Sequence, residues 1–382
     1  MAEETPSFSF LTNFLNIFVL MKCRLFGLFG LLTILLGGCY YEVAKPSKKQ
    51  YLIVASDFLT YKDKGLFDGF EKKTRIQVVL KPMSNTEIFQ LLKREGTDTR
   101  VDLCLLSSSY SAYILEKNRL LQTCPEVLTQ SLPSIQSPFI SRKRTAFGLG
   151  IDPYVLLYSK DTVSINRYAD LQKSISWESD LTEKKDWYPF CVSAISMFSK
   201  EKNALAVRWL DRMLSNKRST SDRDTLHPKQ VFLSRYSHIS GNNQGKRKKP
   251  GKTLVFPNQR SSGTYYDIPV AAIVYQARNY KNAWQLIHHL SQKKMNHLLC
   301  KRKGFFSFHN QNKGGLDTED FGPIRIFRLS LQHLFERFDD VRATLRSVSE
   351  YQRKKRLKKP NKKRMVSTDS TQVSAPVTQE EQ

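Results

Sequence analysis

The stretch YLIVASDFLTYKDKGLFDGFEKKTRIQVVL, residues 51–80, sets the fold class. It opens on the apolar run Tyr51–Ala55 and breaks into polar residues, the pattern of a buried strand. Leu66, Phe67 and Phe70 then fall at helical spacing within Lys64–Thr74, and Ile76–Leu80 alternates as a second strand. Further on, Thr86–Arg94 predicts a helix with Ile88, Leu91 and Leu92 inward, Val101–Leu106 a third strand and Tyr110–Asn118 a third helix. Strands alternating with helices imply an α/β protein, a parallel sheet with helices on its faces. Ligands of such sheets gather at the carboxyl ends of the strands. The loop after Ala55 and the run Ser107-Ser108-Ser109 are therefore the expected pocket walls.

The pattern continues with a strand at Tyr154–Tyr158, helices at Phe190–Phe198 and Ala204–Leu214, and a strand at Thr253–Phe256. An apolar stretch at Ile268–Ala277 precedes a long amphipathic helix, Lys281–Leu299, and a final helix, Phe327–Leu345. Lys246–Lys249 reads as a basic loop tip.

Before the body lies a leader. Residues 21–39 read MKCRLFGLFGLLTILLGGC. Lys22 and Arg24 supply a positive start, Leu25–Leu36 an apolar segment of signal-peptide length, and Leu36-Gly37-Gly38 a small-residue approach to Cys39. This resembles a bacterial lipobox, which implies that residues 21–38 are removed and that Cys39 carries lipid, palmitate among its acyl chains. Residues 1–20 read as an upstream extension, with Met21 as the start. A competing reading joins Phe8–Leu36 into one membrane anchor. It would place Lys22 and Arg24 in mid-span at roughly 2.5–3.5 kcal/mol each, which disfavours it.

The 382 residues carry 61 Lys+Arg against 35 Asp+Glu, a net charge of +26. Such an excess points to polyanions: nucleic acid, an anionic membrane or acidic glycans. Arg353–Arg364 concentrates nine basic residues in twelve, and residues 351–382 read as a disordered basic tail. That tail is either merely solvated or a grip on an anionic membrane or envelope polymer. With no nucleic-acid recognition motif and an export leader, nucleic acid is not an expected partner. Cys104, Cys124, Cys191 and Cys300 show no metal-ligand spacing and read as small buried side chains, with a disulfide left open. No GxSxG, HExxH or P-loop occurs, so the expectation is a protein that is not an enzyme.

Four stretches resemble the iron(III)-type periplasmic solute-binding proteins of ABC importers. They are Leu66–Thr74 with Ile76-Gln77-Val78, then Val101–Leu105, then Phe147-Gly148 leading to Val155–Lys160, and finally Phe256-Pro257-Asn258-Gln259 with Gly263-Thr264 and Ala277–Ala283. The resemblance covers about residues 50–310. It implies the type II two-lobed fold, each lobe a mainly parallel sheet flanked by helices, with crossover strands as hinge and ligand held between the lobes. Residues 51–146 and 262–350 would form the first lobe, 147–261 the second, and 39–50 a linker. It implies an importer permease as partner, a lipid-anchored position in the cell envelope facing the periplasm or exterior, and Fe(III) as the transported ligand.

Iron(III) prefers anionic oxygen donors, which tyrosinate and carboxylate supply. Carried over by position, the family's ligand tyrosines fall on Tyr188, in Asp186-Trp187-Tyr188-Pro189, and on Tyr236, in Ser234-Arg235-Tyr236-Ser237. Weaker candidates are Tyr61, one place displaced, His238, beside a serine that replaces the second paired tyrosine, and Asp152 and Tyr154, which stand where the family carries anion-binding arginines. The plain alternative for each tyrosine is half-buried packing. The competing function is a structural or interaction lipoprotein on the same fold with a degenerate cleft.

Overall fold

Leu52, Val54 and Ala55 on β1 (Gln50–Ser56) and Ile76, Val78 and Leu80 on β2 (Ile76–Pro82) are buried. They belong to a five-stranded sheet of order β2-β1-β3-β10-β4, completed by β3 (Leu103–Leu106), β4 (Phe147–Gly148) and β10 (Val270–Ile273). In the second sheet β5 (Asp152–Ser159), β6 (Trp177–Ser179), β7 (Val231–Arg235) and β8 (Lys252–Val255) run in the order β6-β7-β5-β8, and β9 (Tyr266–Asp267) pairs with β5. A small hairpin of β11 (Leu316–Thr318) and β12 (Gly322–Ile324) comes after them. This computed structural model describes residues 50–159, 165–172, 177–181, 183–198, 203–217, 231–240, 252–312 and 315–357. The leader, Cys39, nearly all of the linker, the Lys246–Lys249 loop and residues 358–382 lie outside the described residues. The chain divides into two compact units, Met1–Gln50 and Tyr51–Gln382, and the second holds both sheets apart from Gln50, the first residue of β1.

The α/β expectation holds, with a correction to strand direction. β1 and β3 are parallel, Val54 opposite Leu103, but β10 is antiparallel to both β3 and β4. In the second sheet β6 and β7 are parallel, while β5 is antiparallel to β7, β8 and β9. The cause is the route of the chain. It leaves the first sheet through β4 into β5 and returns through β9 into β10, so the outgoing and returning strands lie side by side in opposite directions, Asp152 opposite Asp267.

The first helices are α1 (Asp68–Thr74), α2 (Asn85–Glu95) and α3 (Ser109–Lys117). A capping box starts α2: the Glu87 N–H donates to Ser84 Oγ at 3.2 Å and the Ser84 N–H to the Glu87 carboxylate at 2.7 Å. Next come α4 (Lys184–Ile195) and α5 (Asn203–Ser215). The single helix expected over Lys281–Leu299 is two, α6 (Tyr280–Ser291) and α7 (Lys293–Lys303), broken where Gln292 turns extended at ψ 139°. The break lets Asn296 sit fully buried, its amide donating to the Leu149 carbonyl at 2.7 Å and its oxygen accepting from Ser307 Oγ at 2.6 Å.

The last helix, α8 (Leu331–Leu357), outruns its expected end at Leu345. Val341 and Val348 are buried, so its apolar side continues one turn past that point. The first residues of the basic segment, Arg353 and Lys354, are therefore helical and exposed. α8 packs on α3 and also on α4 and α5, with Phe338 fully buried 5.1 Å from the rings of both Tyr110 and Tyr113. Among the described residues no helix is long and apolar enough to cross a membrane.

Candidate ligand cleft

Both sheets turn the carboxyl ends of strands toward one cavity of about 660 Å³. On one side stand Ser56 and Asp57 after β1, Pro82 and Met83 after β2, and Ser107 after β3. On the other stand Asp180 after β6, Arg235 at the end of β7, Ser237 and His238 in the next turn, and Glu183, Lys185 and Asp186 at the start of α4. The walls expected after Ala55 and at Ser107 are in place.

Arg235 organises the floor. Val231 and Leu233 are buried on β7, and period-two alternation carries Arg235 to the same inward face, where it is 1% exposed. Its Nε donates to Asp152 at 2.7 Å, its Nη1 to Asp186 at 3.4 Å and its Nη2 to the Ser107 carbonyl at 2.6 Å, with Asp267 at 3.6 Å. Burial works against the guanidinium charge, but Asp152, Asp267 and Asp186 outweigh it and hold the arginine protonated. Asp267 is fully buried, and that burial raises its carboxyl to about 6 against the pull of Arg235 and the hydroxyl of Ser109, 2.5 Å away.

Two contacts join the two sides besides this cluster. Lys185 Nζ lies 3.4 Å from the Asp57 carboxylate. Asp57 also accepts from the Ser107 N–H at 2.6 Å and Oγ at 2.8 Å, which fixes its direction. Ser108 Oγ donates to the Lys185 carbonyl at 2.8 Å. On the second wall Asp180 Oδ2 accepts from Ser234 Oγ at 2.8 Å and faces His238 Nδ1 at 3.2 Å, while its buried Oδ1 has no hydrogen-bond partner.

The residues singled out in the sequence do not converge. Tyr188 packs 4.4 Å from the Tyr110 ring and lines a separate hollow with Lys184, Arg342 and Arg346 under α8. Tyr236 stacks on Phe306 at 4.8 Å and leans on Phe256. Burial raises both phenols above their usual value, which works against the tyrosinate that iron needs. Asp152 is spent on Arg235 and on Ser237, whose N–H and Oγ it accepts at 3.0 and 2.6 Å. Tyr154 is fully buried and donates to the Asp186 carbonyl at 2.6 Å. Tyr61 is 74% exposed and stands outside the cavity lining, although Thr60 belongs to it. Of the six, His238 alone lines the cavity. Among the described residues no tyrosine lines it, and no group of three or more His, Cys, Asp or Glu is spaced to hold a metal ion. Arg235 is not among the residues the sequence singled out, although its inward place on β7 was available from the alternation of Val231 and Leu233. The four cysteines of the body are free and buried.

The most family-like motif is a knot of backbone support rather than a binding element. Asn258 takes a left-handed φ of 61°. Gln259 donates to Thr264 Oγ1 at 2.8 Å and to the Arg325 carbonyl at 2.9 Å, and Thr264 Oγ1 donates to the Pro257 carbonyl at 2.8 Å. These bonds hold the return path from β8 to β9.

No family model matches the chain, and no curated protein does. Solved structures do. A Trichodesmium protein described as IdiA or FutA in complex with iron and citrate is 17% identical, with a TM-score of 0.66, over 78% of this chain and 99% of that one. Ferric iron-binding protein A of Mannheimia haemolytica, in an open conformation, is 18% identical, also with a TM-score of 0.66, over 78% and 98%. A ferric binding protein from Campylobacter jejuni is 18% identical with a TM-score of 0.64, over 78% and 99%. The chain has the two-lobed fold of these structures.

Proposed function

We propose that this chain is an extracytoplasmic solute-binding protein that hands a small ligand to an ABC importer permease, and that Cys39 tethers it by lipid to the cell envelope. The observation that carries the reading is the cavity itself: in a two-lobed fold, strand ends of both sheets meet over a space of small-molecule size lined by charged and hydroxyl groups. Ferric iron is the ligand named for several fold neighbours. For this chain an iron site would have to use Tyr188 and Tyr236 in another arrangement of the lobes, or the cleft carboxylates. The test is thermal unfolding with Fe(III)-citrate and a panel of small cations, anions and zwitterions. A ligand at a hundred times its Kd stabilises by about 2.7 kcal/mol. Silence across the panel removes the solute-binding reading. With Fe(III) bound, Tyr188→Phe and Tyr236→Phe should abolish visible absorption, and persistent colour removes both from any iron site. Tethering is tested by intact mass: the mature chain should begin at an acylated Cys39.

A second reading, an interaction lipoprotein whose cleft binds nothing, is favoured by the way Arg235 and Lys185 already satisfy the carboxylates between the sheets. The same panel separates the two. The basic segment Arg353–Arg364 adds an electrostatic hold on anionic lipid or envelope polymer, which truncation after Tyr351 would weaken in salt-dependent vesicle binding.

A further inference from the structure

The chain as a whole is strongly basic, 61 Lys+Arg to 35 Asp+Glu, but the cleft reverses that sign. Five carboxylates among the described residues line it against three basic side chains. Two of those three are already engaged: Lys303 lies 2.5 Å from Asp63, and Arg235 is held by Asp152. The third, Lys185, sets its ammonium between Asp57 at 3.4 Å and Glu183 at 3.7 Å. The protein thus places a guanidinium and an ammonium of its own on the cleft carboxylates, while Asp180 keeps one buried oxygen without a partner. The acidic groups are spread around the cavity rather than gathered at metal-ligand spacing. An extended cation with charges set apart fits that layout better than a single metal ion.

The rest of the lining agrees. Phe58 and Phe305 meet edge to face at 5.5 Å on the cavity wall, and Met83 lies beside the loop that carries Phe58. Aromatic faces and a thioether suit the hydrocarbon part of an organic cation, and ring faces attract the charge itself. We infer that the cleft takes an organic cation, a small amine or guanidine with an alkyl body, seated on Asp180 and Glu183 with its carbon chain against Phe58 and Phe305. This rests on the solute-binding reading above and narrows it.

The test is titration calorimetry of the full chain with putrescine, spermidine, agmatine, citrate and Fe(III)-citrate. Saturable binding by one of the amines, weakened at least tenfold in Asp180→Asn and in Glu183→Gln, is the expected result. Either variant suffices should the other fail to fold. Binding of citrate or Fe(III)-citrate with no amine bound overturns the organic-cation assignment and leaves solute binding intact. Amine binding unchanged in both variants overturns the site. No binding by any probe overturns both readings.

Discussion

Arg235 is the residue on which the cleft turns. Removing a buried charge while leaving its partners costs about 3–5 kcal/mol, because the partners stay behind uncompensated. Arg235→Met would leave Asp152, Asp186 and Asp267 facing one another, so a loss of that size is expected in denaturant unfolding; a loss under about 1 kcal/mol would mean that the carboxylates are solvated. Asp267 gives a pH signature. Its folded value, about 6, lies above the usual carboxylate value near 3.8, so folding favours its protonated form. The stability this contributes is complete below about pH 4 and is lost as pH rises through about 6. Asp267→Asn carries no such proton, and its stability should fall less than that of the unsubstituted chain between about pH 4 and pH 6.5, by roughly 2–3 kcal/mol. Parallel curves would assign the titration elsewhere. Gly263 is a third decisive position. At φ +91° an added Cβ would lie 2.5 Å from the Ile326 carbonyl carbon, so Gly263→Ala should destabilise by about 1–3 kcal/mol. The Gly-Thr step that made the family resemblance visible is thus explained by backbone geometry and not by ligand contact.

At the scale of elements, what the sequence disclosed tracks what periodicity can carry. β2 and α2 were legible because each buries one face at its own repeat, and β1 and β5 because they are continuous apolar runs of strand length. The break at Gln292 was not, since the apolar spacing runs on through it and only the buried amide of Asn296 explains the turn. Nor was the surrounding of Tyr188 legible. Its place on α4 is local information, but what faces it is α8, about 150 residues later in the chain, whose Arg342 and Arg346 share its hollow. A position carried over from a resemblance fixes the element and not the neighbour. The same helix makes an element-level prediction. α8 touches helices of both sides, and Phe338 is its deepest anchor between Tyr110 and Tyr113. Phe338→Ala should cost about 3–5 kcal/mol, read as a lowered midpoint in denaturant. A cost near zero would show that α8 is dispensable to the fold.

For the whole molecule the question is what closes the cleft. In a two-lobed binder, ligand contacts on both sides normally supply the difference in free energy between open and closed forms. Here the chain supplies some of its own: Arg235 reaches Ser107, and Lys185 reaches Asp57 from the opposite wall. A cationic ligand would therefore compete with the protein for the carboxylates it needs, and Lys185 is the competitor nearer to solvent, 18% exposed against 1% for Arg235. Lys185→Met keeps the length of the side chain and removes the charge. It should tighten binding of an amine by about tenfold, a gain near 1.4 kcal/mol, by freeing Glu183, 3.7 Å from the Lys185 ammonium, for the ligand. The same substitution should loosen the ligand-free closed form, seen as a larger radius of gyration in solution scattering without amine and an unchanged one with it. Weaker amine binding in Lys185→Met would reverse the argument, making Lys185 a ligand contact, and the cleft a site for anions.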